Sequence, residues 1–264
     1  MQSRKKNGTE RWRTGAHSTK SPPPGQALRR NARDVLPGSA SVLYAAAVKL
    51  ELPADRIAVK ICGITNRDDA LAAVDAGADL LGFNTWPGTK RFVDIARNAE
   101  WIAALPRPVL RVALMVNATP AETERVAAFP FVDALQFHGD EDADFCRWAA
   151  RLGKPIIKAL RARDHGILAQ AGNYSTPHIL LDAHVPGEFG GTGARVDLKL
   201  AREFKSAHPA LTFWLAGGLM PANVAEAVRA VWPAVVDVSS GVEIEPGRKD
   251  AAKMRAFAEA AKRA

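Results

Sequence analysis

From about Ile57 to the C-terminus, short apolar runs rich in β-branched residues alternate with stretches of helical periodicity. This alternation is typical of repeated βα units, in which a helix returns the chain to the next parallel strand. Strands are predicted at Ala58 to Cys62, Leu80 to Phe83, Val109 to Met115, Ala134 to Phe137, Pro155 to Leu160, His178 to Asp182, Thr212 to Ala216 and Val235 to Val238. Helices are predicted near Arg67 to Ala76, Ile95 to Ala104, Pro120 to Ala128, Asp142 to Leu152, Asp164 to Ala171, Val196 to Ser206, Pro221 to Val231 and Lys249 to Lys262.

Eight βα units in roughly 210 residues suit a single α/β domain, a (β/α)8 TIM barrel over residues 57–264, although a doubly wound sheet accepts the same alternation. The polar residues at strand ends decide between these folds. Functional groups of a barrel lie at the C-terminal ends of its strands. Cys62 and Asp182 end the first and sixth predicted strands, and this placement favours the barrel.

Residues 1–50 have a different character, because they are rich in Arg, Lys, Ser, Pro and Gly and show no sustained periodicity. Such a segment cannot bury enough apolar surface to offset the entropy of ordering, so we predict a disordered basic extension. It contains ten Lys or Arg and two acids, which accounts for the whole net charge of +8. Up to about Ala40 the segment shows no aromatic interleaving beyond Trp12 and no amphipathic pattern, so we expect binding to neither nucleic acid nor membranes.

The remaining composition indicates a cytoplasmic globular protein. No apolar run approaches the roughly 18 to 20 residues that span a bilayer, and no apolar core follows the basic start as in a secretory signal. The two cysteines, Cys62 and Cys146, are too few for a disulfide framework and suit a reducing compartment. The six histidines show no metal-ligand spacing, so we predict no metal site.

Cys62 is the first candidate for chemistry, at the end of the first strand and before Gly63. A thiol at a barrel mouth can act as a base or nucleophile if nearby cations lower its pKa, and Lys60 is a candidate neighbour. A buried cysteine that only packs is an equally good interpretation of this segment. Cys146 lies within a helical apolar pattern, and there packing is the expected role.

Asp182 is the second candidate, because a carboxylate that ends an apolar strand is costly unless it is solvated, paired or functional. A cap or turn residue is the alternative interpretation. The glycines that follow, Gly190 to Gly193, permit either a loop that covers a ligand or an ordinary turn. Gln136 and His138, after the fourth strand, suit either polar groups at the rim or structural roles.

Two loops predict a phosphorylated small-molecule substrate. Gly217 and Gly218 follow the seventh strand, and Ser239, Ser240 and Gly241 follow the eighth. Barrels often bind phosphate with these two loops, since glycines let backbone N–H groups approach the phosphate and serines add donors. After the second strand, Arg91 is a candidate clamp for a carboxylate, with a solvated surface position as the alternative.

Taken in chain order, these residues resemble the phosphoribosylanthranilate isomerase family. The resemblance runs from about Val59 to the C-terminus. Its segments are Lys60 to Thr65, the loop through Arg91, Gln136 to Gly139, Leu181 and Asp182 with Gly190 to Gly193, Ala216 to Leu219, and Asp237 to Glu243 with Pro246 to Asp250. The chain departs from the family pattern in the loop from Asn84 to Lys90 and in a longer segment from His184 to Phe189.

The resemblance implies an Amadori rearrangement of tryptophan biosynthesis, from N-(5-phosphoribosyl)anthranilate to 1-(2-carboxyphenylamino)-1-deoxyribulose 5-phosphate, without a cofactor. It implies Asp182 as the general acid and Cys62 as the general base, a role that requires a lowered thiol pKa. It also implies that Arg91 binds the anthranilate carboxylate and that Gly218, Ser240 and Gly241 contact the phosphate. We expect a monomer or a homodimer.

Other functions stay open. An isomerase of the histidine pathway performs the same class of rearrangement, but its resemblance favours a carboxylate where this chain has Cys62. A non-catalytic protein that keeps the barrel and the phosphate site is a second alternative, and phosphate binding without turnover would indicate it. A nucleic-acid-binding role would depend on residues 1–50.

Overall fold

The computed structural model describes residues 50–183 and 195–264. The predicted extension therefore lies outside the described residues except for Leu50. The segments from His184 to Phe189 and from Gly190 to Gly193 lie outside them as well.

The described residues form a closed barrel in which each strand pairs in parallel with the next and β8 pairs with β1. This confirms the predicted (β/α)8 fold. The barrel strands are β1 (Ala58–Cys62), β2 (Leu80–Asn84), β3 (Leu110–Met115), β4 (Ala134–Phe137), β5 (Ile156–Ala162), β6 (His178–Ala183), β7 (Thr212–Leu215) and β8 (Val235–Val238). Every predicted strand is present, with ends that differ by a residue or two.

Helices follow the barrel strands in the predicted order. They are α1 (Arg67–Asp75), α2 (Ala99–Ala103), α3 (Pro120–Ala127), α4 (Ala143–Ala149), α5 (Ile167–Gln170), α6 (Leu198–Ala207), α7 (Val224–Val231) and α8 (Ala251–Lys262). Short polar residues begin several of them, because their side chains accept hydrogen bonds from the first turn. Thr119 forms a capping box with Glu122 before α3, and Asp250 caps α8.

Some helices are shorter than the sequence predicts. The helix predicted from Ile95 begins only at Ala99, because the Asp94 side chain accepts hydrogen bonds from the backbone N–H groups of Ala96 and Arg97 and holds a turn there. The ends of the predicted fourth and fifth helices are 3-10 turns, Ala150–Leu152 and Ala171–Asn173. A hairpin of β9 (Glu243–Glu245) and β10 (Arg248–Lys249) lies between β8 and α8 and was not predicted.

Side chains alternate along each barrel strand, since successive residues of a strand point to opposite faces. Ala58, Leu180 and Trp214 pack inside the barrel, whereas neighbours such as Val59 pack outward against the helices. Leu50 is buried in the inner cluster, so packing against the barrel begins before residue 57. In the described part of the chain, we find no helix with the length and hydropathy needed to cross a membrane.

Candidate functional site

Cys62 and Asp182 share the inner face and the C-terminal end of the barrel. Lys60 and Cys62 alternate with the outward Ile61 on β1, and on β6 Asp182 follows Leu180 on the inner face. Gly82 on the neighbouring β2 leaves room for the thiol, because a Cβ there would lie 2.7 Å from Cys62 Sγ. The barrel therefore brings the two predicted catalytic groups to one mouth.

Apolar side chains pack around the Cys62 thiol. Leu114 and Val116 on the β3 side form a buried cluster with it, and Trp86 from the β2 loop packs against that cluster. Cys62 itself is only 7% exposed. Such a wall suits an aromatic ring near the thiol, and it also withdraws the thiol from water.

Buried charges lie beneath the thiol. Nζ of Lys60 lies 2.8 Å from Oδ2 of Asp237 on β8, and both side chains are almost fully buried. Burial disfavours the ammonium group, but Asp237 and Cys62 together raise the pKa of Lys60. The Oδ1 atom of Asp237 has no hydrogen-bond partner among the described residues.

The direction of the Cys62 pKa differs from the one that a general base requires. Burial raises the pKa of Cys62, because the charges of Lys60 and Lys249, which favour the thiolate, only partly offset the loss of solvent and the repulsion from Asp237. The expected neighbouring cation is present, but the expected lowering of the Cys62 pKa is wrong. The main cause is burial by the apolar wall, with the charge of Asp237 adding to it, and the sequence reveals the position of neither.

Asp182 is held by two hydrogen bonds. Its Oδ1 accepts from the backbone N–H of Ala183 at 2.8 Å, and its Oδ2 lies 3.1 Å from Nε2 of His138 on the β4 side. Nε2 of Gln136 lies 3.0 Å from the other ring nitrogen, Nδ1. If the Gln136 amide donates to Nδ1, the imidazole hydrogen stands on Nε2 and is donated to Asp182.

Arg91 lies at the same mouth and is not a solvated surface residue. Its Nε and Nη2 donate to Oε1 and Oε2 of Glu243 at 2.9 and 2.7 Å. Its stem crosses Gly63, where a Cβ would lie 2.7 Å from Arg91 Cδ, so this glycine makes room for the arginine. Gly63 also has φ of +78°, a conformation that favours glycine.

The loops after β7 and β8 pack directly on each other. Gly217 and Gly218 have φ of +92° and +62°, which turn the chain sharply after β7. Ser240 and Gly241 begin a 3-10 turn, Ser240–Val242. A Cβ on Gly241 would collide with the carbonyl oxygen of Leu219, so the backbones touch at this point. The three residues predicted to contact phosphate therefore belong to one surface.

Sequence reasoning missed several residues of this site. Asp237, Glu243 and Lys249 lie in the segments that carry the resemblance, yet none was singled out, and His138 was left between a rim and a structural role. A signal was available for Asp237, which is the residue before the last of a buried apolar strand, as Asp182 is.

The remaining predictions concern Cys146 and metals. Cys146 is a free thiol in the core on α4, where burial raises its pKa to about 12, so its predicted packing role is confirmed. Within residues 50–183 and 195–264, no group of three His, Cys, Asp or Glu side chains is arranged to hold a metal ion.

Comparisons with known proteins agree on one family. Residues 59–260 match the family model described as N-(5'-phosphoribosyl)anthranilate (PRA) isomerase. The chain is 46% identical over 211 residues to N-(5'-phosphoribosyl)anthranilate isomerase of Neisseria meningitidis serogroup C, a match that covers 79% of this chain and 98% of the relative.

Solved structures agree as well. A crystal structure of phosphoribosylanthranilate isomerase in complex with reduced 1-(o-carboxyphenylamino)-1-deoxyribulose 5-phosphate is 36% identical, with a TM-score of 0.69. Mutually generated monomers of the dimeric enzyme from Thermotoga maritima are also 36% identical, with a TM-score of 0.68. Each match covers 78% of this chain and 98% of the other.

Proposed function

Since the chain belongs to the N-(5'-phosphoribosyl)anthranilate isomerase family, an isomerase family of tryptophan biosynthesis, we propose that Asp182 and Cys62 are the acid and the base of its reaction. One observation carries the proposal. Asp182 is the residue before the last of β6, and Cys62 ends β1, three strands away around the barrel. Both side chains face the barrel interior at the same mouth. A sugar bound across the mouth would have one group on each side.

Asp182 begins the reaction by giving its proton to the ribose ring oxygen. The C1'–O bond breaks, and the nitrogen lone pair forms the C=N bond of an open-chain Schiff base. Asp182 is left as a carboxylate, which the N–H groups of Ala183 and His138 stabilise by hydrogen bonds.

Cys62 then removes the proton from C2'. The electrons of the C–H bond form the C1'=C2' bond, those of the C=N bond return to nitrogen, and the enolamine tautomerises to the ketone. Lys60 and Lys249 favour the thiolate that this step needs.

The two ends of the substrate are anions, and the site offers a separate surface to each. Arg91 crosses Gly63, the residue after Cys62, and Trp86 packs against the apolar cluster of Cys62, so this side of the mouth suits an aromatic ring that carries a carboxylate. Gly218, Ser240 and Gly241 form the paired loops, whose backbone N–H groups suit a phosphate. We assign these four residues to substrate binding.

The test follows the loss of substrate fluorescence when freshly generated N-(5-phosphoribosyl)anthranilate is mixed with the full chain. We expect rapid turnover by the wild type and loss of kcat by roughly 100-fold or more in Cys62→Ser and Asp182→Asn. Cys146→Ser and Asp144→Asn are matched controls, because Cys146 only packs in the core and the Asp144 side chain is 83% exposed. A folded wild type without turnover overturns the function, and full activity in either catalytic variant overturns that residue's role.

We further propose that the chain works in the cytoplasm as a monomer or homodimer. The support is that all proposed site residues come from one barrel, so a single chain suffices for the reaction, while a dimeric relative shows that association is compatible with this fold. Sedimentation equilibrium of the full chain should give one or two copies, and cell fractionation should recover it with cytoplasmic enzymes. A larger assembly or recovery with membranes contradicts this proposal.

A further inference from the structure

Glu243 is a buried carboxylate that contacts two cations at the site. The Arg91 guanidinium donates to both of its oxygens, and Nζ of Lys249 lies 2.8 Å from its Oε1. The Glu243 side chain is 4% exposed and that of Lys249 is 0% exposed. Burial opposes the charge of Glu243, but hydrogen bonds and charge from Arg91 and Lys249 lower the pKa of this carboxyl group.

The contact with Glu243 determines what Arg91 can offer to a ligand. A two-point contact through Nε and Nη2 fixes the plane of the guanidinium as well as its distance from the Glu243 carboxylate. The same two atoms are then unable to clamp a substrate carboxylate side-on. The terminal Nη1 and the second hydrogen of Nη2 stay available, so the arginine must meet its ligand end-on.

Lys249 extends this connection to the phosphate end of the site. Its Nζ also donates to the carbonyl oxygen of Ser239 at 3.2 Å, directly before Ser240 and Gly241. Nζ of Lys253 on α8 holds the backbone oxygen of Glu243 at 2.8 Å. Glu243 is thus anchored to α8 through its backbone oxygen, while its carboxylate touches Arg91 on one side and reaches the β8 loop through Lys249 on the other.

We propose that Glu243 is a positioning residue that sets Arg91 for end-on binding of the substrate carboxylate and, through Lys249, fixes that arginine relative to the phosphate-binding loop. The proposal rests on the proposed function, because it concerns the same substrate. It goes further by assigning specificity for the carboxylate to a residue that does not touch the substrate. Without the charge of Glu243, two buried cations would face each other and Arg91 would lose its fixed plane.

The test compares two ligands that differ in one group. The first is reduced 1-(o-carboxyphenylamino)-1-deoxyribulose 5-phosphate, and the second is its phenylamino analogue without the carboxylate. We expect the wild type to prefer the first, and Glu243→Gln to reduce that preference by roughly 10- to 100-fold through loss of orientation. In Glu243→Gln, KM for substrate should rise as this preference falls, while kcat should change by a few-fold at most.

Glu245→Gln is the matched control, since Glu245 lies two residues away and forms an exposed ion pair with Arg248. It should keep the wild-type preference. Arg91→Lys serves as a second variant if Glu243→Gln does not fold, because a lysine keeps the charge but cannot bridge both oxygens of Glu243, and it should lose the same preference. An unchanged preference in a folded Glu243→Gln or Arg91→Lys protein overturns the inference. A wild type that neither turns over substrate nor binds the analogues overturns the proposed function instead.

Discussion

Nε2 of His138 lies 3.1 Å from Oδ2 of Asp182, although 44 positions separate the two residues in the chain. The imidazole is buried, and Gln136 contacts its other nitrogen. A histidine held on both sides has a fixed ring orientation and a fixed tautomer. We therefore expect His138 to position the proposed acid.

Replacement of His138 with Leu should lower kcat by at least roughly tenfold, but by less than the loss of the acid itself, which is worth roughly 10²- to 10⁴-fold. KM should change little, because His138 is not among the proposed substrate-binding residues. His138→Gln, whose amide can also donate to Asp182, should restore part of the loss. Steady-state kinetics separate the two parameters, and equal kcat in the Leu variant and the wild type would rule out the role.

The raised pKa of Cys62 predicts a thiol that reacts slowly at neutral pH. The thiolate is the nucleophile, so alkylation of Cys62 by iodoacetamide should accelerate as pH rises, with a midpoint above the roughly 8.5 of a free cysteine. The Cys146→Ser background leaves a single thiol to follow by mass spectrometry. The value of kcat should rise over the same pH range if Cys62 is the base.

The Lys249→Met variant tests which charges set the pKa of Cys62. Lys60, Asp237, Lys249 and Arg91 are charged groups that interact with the thiol, and Lys249 favours the thiolate. Its removal should move the alkylation midpoint to still higher pH. A midpoint below pH 8 in the parent protein, or a downward movement in the variant, would contradict the assigned electrostatics.

His178 predicts a loss of stability in acid. It lies inside the barrel, edge-on to Trp214, and neither ring nitrogen has a hydrogen-bond partner among the described residues. Burial lowers its pKa from 6.5 to about 4. Between pH 6.5 and 4 the folded imidazole stays neutral while the imidazole of the unfolded chain takes up a proton. The free energy of unfolding therefore has its full value above pH 6.5 and decreases as pH falls toward 4.

The loss amounts to roughly 3 kcal/mol at most in the free energy of unfolding. Urea unfolding at pH 7.5 and 4.5 measures the difference in the free energy of unfolding between the two pH values. Carboxylates contribute to this difference in every variant. His178→Leu should show a smaller difference between the two pH values, and at pH 7.5 it should match or exceed the wild type, because it removes unpartnered polar atoms. His165→Leu, a change at an exposed position, should keep the wild-type difference. Identical differences in all three proteins would exclude His178 as the source.

The sequence predicts the barrel well because its strands are covered on both faces. β1 and β6 are therefore short, mostly apolar runs that carry Cys62 and Asp182 at or next to their C-terminal ends, and the pattern locates both the strand and the candidate group. The hairpin of β9 and β10 escapes prediction for the opposite reason. Its residues are largely charged, and contacts of Glu243 with Arg91 and Lys249 hold it rather than a periodic apolar face.

The partners of the catalytic groups are harder to predict, because they are distant in the chain. Lys60 and Asp237 are 177 positions apart, and Arg91 and Glu243 are 152 apart. Barrel closure brings β1 beside β8 and creates the first pair, while the second joins the loop after β2 to β9. Residue spacing contains no information about either contact, and the direction of the Cys62 pKa depends on both the pair and the apolar wall.

Gly241→Ala should weaken binding of the phosphate end of the substrate. A methyl group there meets the carbonyl oxygen of Leu219, so the β7 and β8 loops must separate and the proposed donors move apart. KM should rise by roughly 10- to 100-fold, and inhibition by inorganic phosphate should weaken in parallel. Gly172→Ala is the control, because a Cβ at that position meets no atom within 4 Å. Wild-type KM and phosphate inhibition in a folded Gly241→Ala protein would show that the phosphate binds elsewhere.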